Sequence, residues 1–307
     1  MSEYSGFIAA QIKVRSEQVS ATIQLLDADN TIPFIARYRK EATGGLDEEQ
    51  LRQVSDLLDR QHALDDRRQT VLNSIREQEK LTPELQHQIL AAATLTELED
   101  LYQPYKPKRR TRASMARDRG LQPLADKILA QERTAQSLQE LAADFLCDEV
   151  LTMDDAWAGA RDIVAETISD HAQVRQAVRQ KALQWGALQC EKIEGAEDAG
   201  RVYELYYEGE FRIDRLRAHQ ILAINRGETE KVLKVHVQVP ERDWQNAIYD
   251  VFQLDNRSIF AQQLNEAILD AAERLLLPAI ERDVRRELTE KAEDRKSTRL
   301  NSSHVSQ

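Results

Sequence analysis

Residues 47–78 read DEEQLRQVSDLLDRQHALDDRRQTVLNSIREQ. Leu51, Val54, Leu58, Leu64, Val71, Leu72 and Ile75 fall on one face of a 3.6-residue period, and charged or amide side chains fill the other. No glycine or proline interrupts the run, and Asp47 with Gln50 has the spacing of a capping box. The stretch therefore predicts one helix of about 30 residues, roughly 45 Å long, packed against neighbours along one side only. A chain that can commit so many residues to one amphipathic helix is mainly α. The composition agrees: 10 glycines and 7 prolines in 307 residues, with 41% hydrophobic and 31% charged residues.

Working outward, Ile8, Ile12, Val19, Ile23 and Leu26 continue the helical period upstream, with Ser16 placed to cap a second helix. Thr82-Pro83-Glu84 is a helix start, and Thr96 with Glu99 repeats the capping-box spacing. Further helices are expected around 124–129, 138–146, 156–168 and 174–183, the last stopped by Gly186. Residues 187–200 read as a turn-rich boundary, dividing a helical domain (1–186) from a second segment (201–295). Leu233, Val235, Val237 and Val239 alternate with Lys234, His236 and Gln238, so one short β element is expected near 231–239. A long helix should follow from about 259 to 293, kinked by Pro278. Lys296–Gln307 lacks any apolar period and contains KSTRLNSSH, which reads as a translated sequencing adapter and a disordered end.

The net charge of −11 excludes a uniformly basic nucleic-acid-binding surface, so any such contact must be local. Cys147 and Cys190 match no metal or redox spacing, and the six histidines are isolated from one another and from cysteine. No cofactor is expected. No apolar run reaches membrane-spanning length, and the first residues lack a secretory pattern, so the expected location is the cytoplasm. Nucleophile elbows and glycine-rich nucleotide loops are absent, and the sequence is read as that of a non-enzyme.

Two stretches concentrate positive charge. LYQPYKPKRRTRASMARDRG, residues 101–120, holds Lys106, Lys108, Arg109, Arg110, Arg112, Arg117 and Arg119 against one acid, Asp118. Pro104 and Pro107 favour an extended approach, and Tyr102 and Tyr105 can either stack on bases or pack inward. The cations have two readings: they pair with acids of adjacent helices, or they meet phosphates. IPFIARYRKEATGGLDE, residues 32–48, sets Arg37, Arg39 and Lys40 around Tyr38, with Ile32, Phe34 and Ile35 as the expected buried side. Gly44-Gly45 lacks the Lys-Ser/Thr of a phosphate-binding loop and reads as a helix-terminating turn.

NTIPFIARYRKEATGGLDE (30–48) and LEDLYQPYKPKRRTRASMARDRGLQPLA (98–125) resemble the N-terminal region of the Tex family of transcription accessory proteins, with Gln103 and Ser114 as mild departures. HQILAINRGETEKVLKV (219–235) and LLLPAIERDVRRELTEKAE (275–293) resemble the segment that follows. The family is similar to the eukaryotic elongation factor that travels with RNA polymerase. The resemblance implies a helical N-terminal region with a helix-turn-helix-like part. In the family it is followed by RNase-H-like, helix-hairpin-helix and OB-type RNA-binding domains, which carry most of the nucleic-acid affinity. Because the resemblance stops near residue 294, the sequence is read as an N-terminal fragment cut at about 295. RNA or DNA is the expected partner, mainly through those later domains. In the alternative reading the chain is a protein-interaction scaffold that docks onto RNA polymerase or onto the parent's own later domains, without direct nucleic-acid contact.

Overall fold

A computed structural model describes residues 4–106, 110–198 and 200–304, with side chains as far as residue 293. It is mainly α and divides into two compact units: Met1–Leu98 with Ser297–Gln307, and Glu99–Lys296.

The spine of the first unit is α4 (Glu48–Glu77), the helix expected from its sequence. Asp47 accepts from the Gln50 N–H at 2.8 Å, and the Gln50 side chain returns the bond to the Asp47 N–H at 3.1 Å. Its apolar face meets α1 (Ser5–Ile12), α2 (Ser16–Asp27), α3 (Ile32–Tyr38) and α5 (Pro83–Ala91). One cluster joins Ile8, Val19, Ile23, Val54 and Leu58; another joins Ile35, Leu46 and Leu51. Thr82 caps α5 as expected. Two expected caps move. α2 starts from Arg15, whose N–H is taken by Gln18 Oε1, with Ser16 already inside the helix. α6 (Leu95–Tyr102) is capped by Thr94, two residues before Thr96, and Glu97 accepts from the Ala93 N–H.

The second unit is built on α10 (Met153–Asp170), in contact with α7 (Arg112–Asp118), α8 (Gln122–Ala130), α9 (Leu138–Ala143) and α11 (Ala172–Trp185). Ala156, Ala160, Ile163, Val164 and Ile168 are fully buried along it. Gly159 permits the closest approach, because a Cβ there would stand 2.4 Å from Leu121 Cδ1.

After Gly186 the expected boundary does not form. Residues 187–192 are strand β1 (Ala187–Lys192), which lies between β2 (Glu208–Arg212) and β3 (Leu233–Gln238), antiparallel to both. The sheet's inner face, including Leu188, Cys190 and Val235, joins one continuous core reaching from Ala113 to Ala292. The single expected strand, near 231–239, is thus one of three, and the division of the chain falls at residues 98–99. β1 escaped detection because its pairing partners are distant in sequence and its alternation is short.

Beyond α12 (Ala218–Thr229) and α13 (Glu241–Phe252), the expected long helix is interrupted. α14 (Ala261–Asp270) passes through a π-helical turn, Ala271–Leu276, into α15 (Leu277–His304). Pro278 has no N–H to give to the fourth carbonyl back and would crowd it, and the widened turn just before it accommodates both effects. The α15 backbone continues to His304 instead of fraying at 296, with no glycine or proline after Pro278 to stop it. The side chains of 296–307 lie outside the described residues.

His171 joins α10 to α11, its ring edge-on to Phe252 at 5.5 Å. Burial lowers its pKa, so the folded chain resists its protonation. The unfolded chain binds that proton more readily, and stability is lost as pH falls from the ordinary histidine value through the lowered one. Urea titrations at a series of pH values should show His171→Gln losing less stability than the parent across that interval. Parallel profiles would rule out this coupling.

Candidate nucleic-acid interface

The segment from Glu99 to Gly120 is fixed at both ends by carboxylates. At its root, Asp100 is 4% exposed. Its Oδ1 accepts from Arg175 Nε at 2.7 Å, and its Oδ2 lies 2.7 Å from Arg179 Nη1, an ion pair that is not aligned as a hydrogen bond. Arg175 also reaches Asp283 at 3.0 Å. Tyr102 is buried, so of the two roles open to it packing prevails. At the far end, Thr111 and Ser114 cap α7 reciprocally, through Thr111 N–H to Ser114 Oγ at 2.8 Å and Ser114 N–H to Thr111 Oγ1 at 3.0 Å. The Thr111 hydroxyl donates to Glu166 Oε1 at 3.1 Å, and Arg117 Nη1 donates to Glu166 Oε2 at 2.6 Å.

These bonds sort the candidate cations. Arg117 is held by Glu166, and Lys106 lies 3.3 Å from Glu99. Arg112 forms no ion pair among the described residues, yet it lies in the field of Asp162 and Asp270. Arg110 and Arg119 are exposed and without an ion pair among the described residues. Lys108 and Arg109 lie outside the described residues. The ion-pair reading of the segment therefore applies to Arg117 and Lys106, and not to Arg110 and Arg119.

Beneath α7 is a cavity of about 510 Å³, lined by Arg112, Asp162, Glu166, Arg274 and Arg282 among others. Its charges largely answer one another: Arg274 reaches Asp162 at 3.1 Å and donates to Asp270 at 2.9 Å. Burial raises the pKa of Asp162 against the pull of Arg274, whereas the hydrogen bond from Arg274 lowers that of Asp270. Among the described residues, no three His, Cys, Asp or Glu side chains are arranged to hold a metal.

In the first unit, α3 and the turn after it display the other basic group. Ile35 is fully buried, while Arg37, Arg39 and Lys40 are exposed and free of ion pairs among the described residues. Phe34 departs from expectation: at 37% exposure it lies on the outer face, one helical turn from Tyr38. The turn itself is stiff. The buried Thr43 hydroxyl donates to Lys40 O at 3.1 Å, the Gly45 N–H donates to Lys40 O at 2.9 Å, and Gln18 Nε2 donates to Gly44 O at 2.9 Å. Gly44 and Gly45 take φ of 62° and 89°, which only glycine adopts at little cost. Sequence pattern located these cations but not Glu166 or Asp100, whose roles come from residues far along the chain. A Thr-x-x-Ser spacing at 111–114 was the one local signal for the first of them.

Two family descriptions match the chain: the Tex-like protein N-terminal domain over residues 2–76, and the Tex central region over residues 133–297. "Protein tex" of Bordetella pertussis is 45% identical over 75% of the chain and 29% of its own length. The "transcriptional accessory protein Tex" of Neisseria gonorrhoeae is 39% identical over 77% of the chain and 31% of its own length. The human "S1 RNA-binding domain-containing protein 1" is 30% identical over 88% of the chain and 28% of its own length. The chain thus spans less than a third of the length of each of these relatives.

Glu166→Ala should release Thr111 and Arg117 together. The expected cost is about 2–3 kcal/mol in a denaturant titration, since hydrogen bonds to charged groups are worth ~1.5–3 kcal/mol and Arg117 is partly exposed. Tryptic cleavage after Arg110 and Arg112 should accelerate in the same variant. An unaltered cleavage pattern would mean that the segment is held by something else.

Proposed function

That the chain belongs to the Tex family is the premise from which we propose that it is the helical N-terminal scaffold of a nucleic-acid-binding transcription accessory protein, working by binding and not by catalysis. The observation that carries the reading is the set of exposed cations without ion pairs among the described residues, Arg37, Arg39, Lys40, Arg110 and Arg119, on a chain of net charge −11. An acidic protein repels polyanions everywhere except where such groups stand clear of their acids. The names of the relatives supply the context: one is a transcriptional accessory protein and another carries an RNA-binding domain. In this reading the chain gives phosphate contacts that position a nucleic acid, and RNA or DNA is the partner. The proposed location is the cytoplasm; no helix among the described residues is long and apolar enough to cross a membrane.

A second reading has its own observation. Val202 and Leu205, ahead of β2, are 65% and 84% exposed, and Leu151 is 77% exposed. Apolar side chains left this open favour contact with protein, and RNA polymerase is the partner proposed for it.

Neutralising Arg37, Arg39 and Lys40 to Gln should flatten the salt dependence of nucleic-acid binding by about 0.7–0.9 for each phosphate no longer neutralised, and so should neutralising Arg110 and Arg119. Unchanged slopes in both variants would remove these cations from the interface. Binding of nuclease-treated chain to purified RNA polymerase, abolished by Leu205→Ser, is the corresponding outcome for the second reading.

A further inference from the structure

We propose that the outer face of α3 is a stacking platform for an unpaired nucleobase, formed by Phe34 and Tyr38 and flanked by Arg37, Arg39 and Lys40. The two rings sit one helical turn apart, with centroids 5.2 Å apart and planes inclined by 44°. Arg39 Cζ lies 5.8 Å from the Phe34 ring centroid, over its face. Tyr38 is 68% exposed and Phe34 37% exposed, although the same short helix buries Ile35 completely against Leu46 and Leu51. The helix therefore has an apolar anchor already, and the rings add nothing to it. Their position is fixed from below by Ile35 and from behind by the hydrogen-bonded turn at 39–45. An open tyrosine ring backed by Phe34, among three cations without ion pairs, matches a ligand that is flat, apolar in its faces and anionic in its linkage. A single-stranded nucleic acid is such a ligand, because each base has a free π-face and each link a phosphate. In a duplex those faces are covered by neighbouring bases, so the platform selects unpaired segments.

The inference rests on the phosphate-contact reading for Arg37, Arg39 and Lys40, and adds the base. It can be tested apart from that reading with the full 307-residue chain. Two labelled oligonucleotides of about 12 residues are compared, one of deoxyadenosine and one abasic, which offers sugar and phosphate alone. The base-bearing strand should bind roughly tenfold more tightly than the abasic one. Tyr38→Leu, which keeps bulk and apolarity but loses the ring, should remove most of that preference. It should leave abasic binding, the salt slope and the melting temperature unchanged. Tyr38→Phe should behave as the parent. Equal binding of both strands by the parent, or an undiminished preference in Tyr38→Leu, would overturn the platform while leaving the phosphate contacts standing. The exposed rings would then belong to a protein contact. Failure of both strands to bind would overturn the two readings together.

Discussion

Asp100 and Glu166 hold the two ends of the basic segment, and the arrangement of the second unit around α7 depends on them. Each is a carboxylate largely removed from water, a costly state unless cations and hydrogen-bond donors surround it. Asp100 has two arginines from α11, and Glu166 has the hydroxyl of the residue that caps α7 and a guanidinium from within that helix. The bonds also act in reverse. Because Arg117 and Thr111 are committed inward, α7 has one orientation, and Arg110 and Arg119, just outside its two ends, are left to solvent. The acidic body thus decides which cations the protein keeps for itself and which it presents.

Much of the helical architecture was legible because its causes are local. The seven apolar positions of α4, its Asp47 cap, the Thr82-Pro83 start of α5 and the Gly186 stop each depend on residues within a few positions of one another. What was not legible depends on long separations. β1 becomes a strand because residues 208–212 and 233–238 pair with it, and the expected boundary at 187–200 dissolves for the same reason. The sorting of the basic segment is likewise non-local, since Thr111 and Glu166 are 55 residues apart. Composition misleads at Phe34: it is apolar, but the anchor of a seven-residue helix is filled by Ile35, which leaves position 34 turned outward.

The distribution of charge has a kinetic side. At physiological salt the net charge of −11 and the exposed cations are both screened over roughly 8 Å, so a polyanion meets repulsion over most of the surface and attraction only close to those cations. Encounter would be slow and strongly orientation-dependent, and a nucleic acid already tethered nearby by other contacts would gain most.

The π-helical turn at 271–276 makes the register of the chain's last helix a matter of count. Each residue advances an α-helix by about 100°. The wide turn takes up one residue more than an α-turn, and beyond it Ile280, Val284 and Leu288, four residues apart, line the core. A single-residue deletion inside the wide turn would close it to an ordinary α-turn and leave that row in place, whereas the same deletion between Pro278 and Ile280 would rotate the row by about 100° away from the core.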